Sequence, residues 1–195
     1  ISYVDSIDEY IYAVAQVDTL PGKFGEPKTK ECYIESADKS WENYLYMRHK
    51  MKSPHKLISV FHYGEPFSAL GRMLDYRDDT VTDITPFRTE VLGTTYPDRI
   101  NIVGLSPAND SAQQVKDIYL NQCYDFIKNS SYPNAKTHLF GMTAIRTLSK
   151  IPYYSADSIS HRKRTAYNKI FTRKWGIISL TDASRTNRVK SNMSF

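Results

Sequence analysis

Cysteine is scarce in this chain, with two among 195 residues, Cys32 and Cys123. They lie far apart, and each fits a helical pattern. That excludes a disulfide framework and a four-cysteine zinc site, and it suits a reducing, intracellular setting. Long apolar runs are also missing: none approaches the roughly 18 residues needed to cross a bilayer. No basic segment leading into an apolar core opens the chain, so no secretory signal is read. The first residue is Ile1 rather than Met, from which an absent N-terminal part is expected. No Cys/His cluster and no Asp/Glu pair stands at ligand spacing, so neither a metal nor another cofactor is expected. Internal repeats and low-complexity segments are absent.

What is present has ordinary globular proportions, 41% hydrophobic and 24% charged. The length suits one domain with a sizeable core. The net charge of +5 is unevenly placed. Residues 161–195 carry nine Lys and Arg against the single acid Asp182, whereas the other 160 residues carry 17 basic and 20 acidic groups. A mildly acidic body followed by a basic segment points to a polyanionic partner, nucleic acid first. A solvated basic tail is the plainer alternative.

Apolar segments alternate between the two periodicities. Strands are read at 14–18 ("VAQVD"), 56–61 ("KLISVF"), 100–105 ("INIVGL"), 136–141 ("KTHLFG") and 153–157 ("YYSAD"). A further strand, 175–180 ("WGIISL"), stands outside that series. Residues 7–13 read as the end of a helix, and further helices are read up to Met51, after Pro66, after a cap at Ser111, and from Thr143 to Lys150. The stretch from Arg77 to Arg99 lacks a clean period. Strands alternating with helices describe consecutive βα units and a parallel sheet, whose chemistry belongs at the strand C-terminal ends. Those ends carry Asp18, His62, Gly64, Gly104, Ser106, Gly141 and Asp157. Five units do not close an eight-stranded barrel. The chain therefore reads as α/β, either an open sheet or a TIM-type (β/α) barrel lacking its first strands; the non-Met start favours the latter. The barrel part is assigned to 1–180 and a basic tail to 181–195.

Four of these strand ends, "VFHYGE" (60–65), "IVGLSP" (102–107), "KTHLFGMT" (136–143) and "PYYSADSIS" (152–160), resemble phage-encoded relatives of the queuine-type tRNA-guanine transglycosylases. The resemblance runs over nearly the whole chain, with the motifs in the same order. It implies a base-exchange enzyme that replaces guanine in DNA or tRNA by a 7-deazaguanine. Asp157 is at the position of the family's nucleophilic aspartate, and Asp18 at that of the aspartate that reads the purine edge. His62, Gly64, Gly104, Leu105 and Gly141 match its base pocket. Arg162, Lys163, Arg164, Lys169 and Arg173 match its basic stretch toward the polynucleotide backbone. Two departures stand out. The zinc site of the tRNA enzymes is absent, since no cysteine follows 123 and no histidine follows 161. The family's other catalytic aspartate belongs upstream of everything present.

The chemistry suits these residue types. Breaking an N-glycosidic bond passes through an oxocarbenium-like transition state, which a carboxylate near C1′ stabilises or traps. The purine edge needs a second acceptor, and glycines let backbone N–H groups approach the flat base. Each residue also has a plainer role. Asp157 suits an N-cap or turn, Asp18 a turn before "TLPG", His62 a pocket wall, His138 a satisfied core histidine, and Tyr153 and Tyr154 either packing or base stacking. The alternatives to base exchange are an inactive nucleic-acid-binding barrel and an N-glycoside hydrolase. The expected partners are DNA or tRNA and a free guanine or 7-deazaguanine base, without a membrane. Open sheet edges leave room for a homodimer. The expected location is cytoplasmic, in the host if the chain is phage-encoded.

Overall fold

A computed structural model describes residues 1–23, 25–108, 111–142, 144–157, 169–172 and 176–179. The chain divides into two compact units, Ile1–Ala156 and Asp157–Phe195. The first begins with α1 (Ser2–Ser6) and a 3-10 turn at Asp8–Tyr10, so the segment read as a helix end at 7–13 is instead a turn leading into β1 (Val14–Ala15). Then follow α2 (Lys30–Lys50), β2 (Leu57–His62), α3 (Phe67–Asp75), a hairpin of β3 (Phe87–Thr89) and β4 (Gly93–Thr95), β5 (Ile102–Ser106), α4 (Gln113–Lys128), β6 (Lys136–Leu139), α5 (Ile145–Leu148) and β7 (Ser155–Ala156).

The five expected strands form one parallel sheet in the order β1-β2-β5-β6-β7. This order never reverses. Right-handed crossovers then place the connecting helices on one face, as in a wall that curls, whereas an open doubly wound sheet needs a switch point. The fold is thus mixed α/β with a curled, half-barrel parallel sheet. The outer strands are shorter than their sequence patterns: β1 and β7 hold two residues each.

Alternation along the strands sorts the two faces. Leu57, Phe61, Val103, Leu105 and Leu139 join the helix-side core with Tyr44, Leu70, Leu74 and Leu120. Ile58, Val60 and Ile102 face the other way, where Leu92 of the β3–β4 turn and the partly buried Phe140 pack on them. Sequence periodicity found α3 well, with Leu70, Met73 and Leu74 all buried, although Pro66 stands at the N-cap, one residue ahead of the helix. It misplaced the cap of α4. The N-cap there is Ala112, and the Ser111 hydroxyl donates instead to the Ala108 carbonyl at 2.7 Å.

At the strand-start end the 76–101 connection is held by Arg48, near the C-terminus of α2. Its guanidinium donates from Nε to Asp78 (3.1 Å), from Nη1 to the Arg99 carbonyl (3.3 Å) and from Nη2 to the Pro97 carbonyl. Lys136 donates to the Leu92 and Thr94 carbonyls (2.6 Å for the latter), tying the hairpin to the start of β6.

In the second unit, β8 (Lys169–Thr172) pairs antiparallel with β9 (Gly176–Ser179). The expected strand at 175–180 is therefore present, and its partner lies inside what reads in sequence as a basic run. The expected tail 181–195 lies outside the described residues. Among those described, no helix is long and apolar enough to cross a membrane.

Candidate functional site

Asp18 follows β1 on a short segment pinned to one face of α2. The Ser40 hydroxyl accepts from the Thr19 N–H (2.9 Å), the Ser36 hydroxyl donates to the Thr19 carbonyl (2.6 Å), and the Asn43 amide donates to the Val17 carbonyl (3.0 Å). Positions 36, 40 and 43 share a helical face. This explains why two serines are buried on α2 beside Ala37, Tyr44 and Met47. Buried hydroxyls need partners, and here the partner is the backbone that carries Asp18.

The carboxylate is held at both oxygens. Gln16 Nε2 donates to Oδ1 at 2.9 Å, and Gln16 Oε1 in turn accepts from the Ser59 hydroxyl at 3.2 Å. Oδ2 lies 3.0 Å from Nε2 of His62, the last residue of β2. That approach is oblique: Nε2 is buried and its N–H is not aligned on the oxygen. Both side chains keep 24% of their surface.

Glu65 was not among the candidates, yet it closes the group. Gly64 has φ +96°, a left-handed turn that brings the chain back over His62. Glu65 Oε2 accepts from the His62 N–H at 2.9 Å, and the Glu65 N–H donates to the His62 carbonyl at 3.2 Å. Glu65 is 6% exposed, and among the described residues its Oε1 is buried with no hydrogen-bond partner. Burial pushes its carboxyl pKa upward; the His62 N–H and ring charge oppose this without cancelling it. For His62, burial pulls the pKa down, but the Asp18 contact and the charges of Asp18 and Glu65 win, so it lies above the ordinary histidine value. The Tyr33 ring lies so close over Gly64 that a Cβ there would meet it at 2.4 Å.

Other candidates fall elsewhere. Gly104 sits on the inner face of β5, but the space a side chain would take is already filled, with Phe140 at 2.6 Å and Ile58 at 3.1 Å from an ideal Cβ. Leu105 is fully buried in the helix-side core, turned away from that face. Gly141, at φ +65°, makes the turn after β6. His138 accepts or shares a hydrogen bond with the Ser155 hydroxyl (2.9 Å) and packs edge-on against Phe140, a partnered histidine as expected. Tyr153 and Tyr154 precede β7 at its start, where they help line a cleft of about 540 Å³ with Tyr124 and Lys128, away from the Asp18 mouth. Asp157 is the residue after β7 and opens the second unit. Arg162, Lys163, Arg164 and Arg173 lie outside the described residues, and Lys169 begins β8. Among the described residues no group of three or more His, Cys, Asp or Glu is arranged to hold a metal.

No protein-family model, no curated protein and no solved structure matches the chain.

Proposed function

We propose that the chain is a nucleic-acid base-exchange enzyme that replaces guanine in DNA or tRNA by a 7-deazaguanine, with Asp157 as nucleophile. The reading starts from the motif resemblance, and with it goes the finer fold proposal, that the half-barrel sheet is the C-terminal part of a (β/α) barrel. One observation supports it most. In an all-parallel, sequentially ordered sheet, the C-terminal end of β1 carries a carboxylate held by Gln16 and by His62 of the neighbouring β2, and β7 runs directly into a second, Asp157. Strand C-terminal ends are where such folds do their chemistry.

In this scheme the Asp157 carboxylate bonds to C1′ as the C1′–N9 bond breaks and the bonding pair leaves with the purine, whose N9 takes up a proton. The incoming base then attacks C1′ through N9, losing its N9 proton to solvent as the ester bond breaks and the carboxylate is restored. Asp18 accepts from the N–H groups of the purine edge. The basic residues 162–173 contact phosphates and help offset the few kcal/mol needed to extrude a base from a duplex.

Incubation with radiolabelled guanine and either duplex DNA or tRNA tests the reading, with label expected in one polymer only. Released base without incorporation would make the chain an N-glycoside hydrolase. Polymer binding with neither outcome would make it a binding module. Alanine at Arg162, Lys163 and Arg164 together is expected to weaken binding and flatten its dependence on salt.

A further inference from the structure

We infer that His62 and Glu65 are positioning residues for Asp18, forming a partly buried clasp that orients its carboxylate toward a guanine-type edge. The inference rests on the reading of Asp18 as the base acceptor and goes beyond it, because neither residue is assigned this work by the motifs. Three observations carry it.

First, the connectivity is one-directional. Glu65 grips the backbone of His62 on both sides, through its own carboxylate and its N–H. The His62 ring then meets Asp18 Oδ2 at 3.0 Å, while Gln16, itself held by the Ser59 hydroxyl, donates to Oδ1. A carboxylate offers about four acceptor sites, so two such contacts set its plane and leave capacity for two N–H donors of a ligand.

Second, the clasp is under-satisfied where it is buried. Among the described residues Glu65 Oε1 has no hydrogen-bond partner, and His62 Nε2 has only its oblique 3.0 Å charge contact with Asp18. Buried polar groups left this way are uncommon and destabilising, so they mark a place where stability is given up for another purpose. Because Nε2 is buried against Asp18, His62 acts through Asp18 rather than on the ligand.

Third, the charges around the ring have one sign. The groups facing it are Asp18 at the end of β1 and Glu65 in the turn after β2. Arg72 of α3 acts on Glu65, and the buried Tyr119 of α4 feels Glu65 in turn. A protonated ring is therefore the form that holds Asp18, and its hold weakens as pH rises through the His62 titration.

The test measures binding of free guanine by calorimetry from pH 6 to 8.5, with adenine as the control. Wild-type affinity is expected to fall several-fold across this range. His62→Gln keeps an N–H donor and removes the titration, so its affinity is expected to be flat with pH. Glu65→Gln keeps the acceptor for the His62 N–H and is expected to move the midpoint to lower pH. Equal slopes in wild type and His62→Gln overturn the inference. Should wild type bind no guanine at any pH, the base-exchange reading itself fails. The clasp is then decided by ring NMR: Asp18→Asn is expected to lower the His62 midpoint, and an unmoved midpoint overturns it.

Discussion

The two ends of the parallel sheet solve the same problem differently. At the strand-start end, Arg48 is a buried charge with each guanidinium nitrogen engaged, and it also lies 5.3 Å over the Tyr76 ring. At the strand-end mouth, Glu65 is a buried carboxyl whose Oε1 has no hydrogen-bond partner among the described residues, and the partly buried His62 meets Asp18 only obliquely. The first arrangement locks a long connection to the sheet and keeps its ion pair dry. The second holds a partly exposed carboxylate at the rim and tolerates an imperfect shell. Local completeness at one end and local incompleteness at the other is the pattern expected where one end serves stability and the other serves a ligand.

Substitutions at the two ends should therefore separate stability from binding. Arg48→Ala leaves Asp78 and two carbonyls without their donor, and breaking a buried pair costs about 3–5 kcal/mol. Denaturant unfolding is expected to show a loss of that size, with guanine affinity nearly unchanged in whatever protein remains folded. A loss under about 1 kcal/mol would remove the contrast. Gly64→Ala acts at the mouth. It meets both a left-handed φ and the Tyr33 ring, so a cost of roughly 1–3 kcal/mol is expected together with loss of guanine binding. Tyr33→Ala in the same chain relieves the contact but not the backbone, and partial recovery of stability distinguishes the two causes.

A smaller effect is expected at the hairpin. Lys136→Met keeps the aliphatic stem but removes the donor to Leu92 and Thr94, for about 1–2 kcal/mol. Proteolysis is expected to speed up within residues 87–95, with binding unaltered. The smallest is a pH dependence. His62 has its pKa raised in the folded chain, so its contribution to stability is complete below about 6.5 and is lost as pH rises through the folded value. The stability advantage of wild type over His62→Gln should therefore shrink above that point. An advantage that grew with pH would reverse the sign assigned to the Asp18 contact.

The parallel order of the five strands was legible because their bodies are apolar runs bounded by turn residues, and α3 because its apolar residues repeat on one face. The β3–β4 hairpin was not. Its strands are three residues each, rich in threonine and only partly buried, and their cohesion comes from Lys136 and from Asn101, which bridges the Tyr96 N–H (2.6 Å) and carbonyl (2.9 Å). Asp18 and His62 stood out as polar residues at strand ends, and the structure brings them together. Glu65 escaped notice because its role depends on the left-handed turn at Gly64, which directs its carboxylate back at a residue three positions earlier. Gly104 was read as a glycine that lets the backbone approach a base, but sequence gives no sign that Phe140 folds back over it.

The most direct measurement for the central claim is mass spectrometry of the protein after incubation with its polynucleotide and no incoming base. The account predicts a covalent polynucleotide adduct on the peptide containing Asp157. Asp157→Asn, which keeps the shape and removes the charge, is expected to abolish both the adduct and guanine exchange while polymer binding persists. Asp157→Asn protein that still exchanges guanine at the wild-type rate would contradict it.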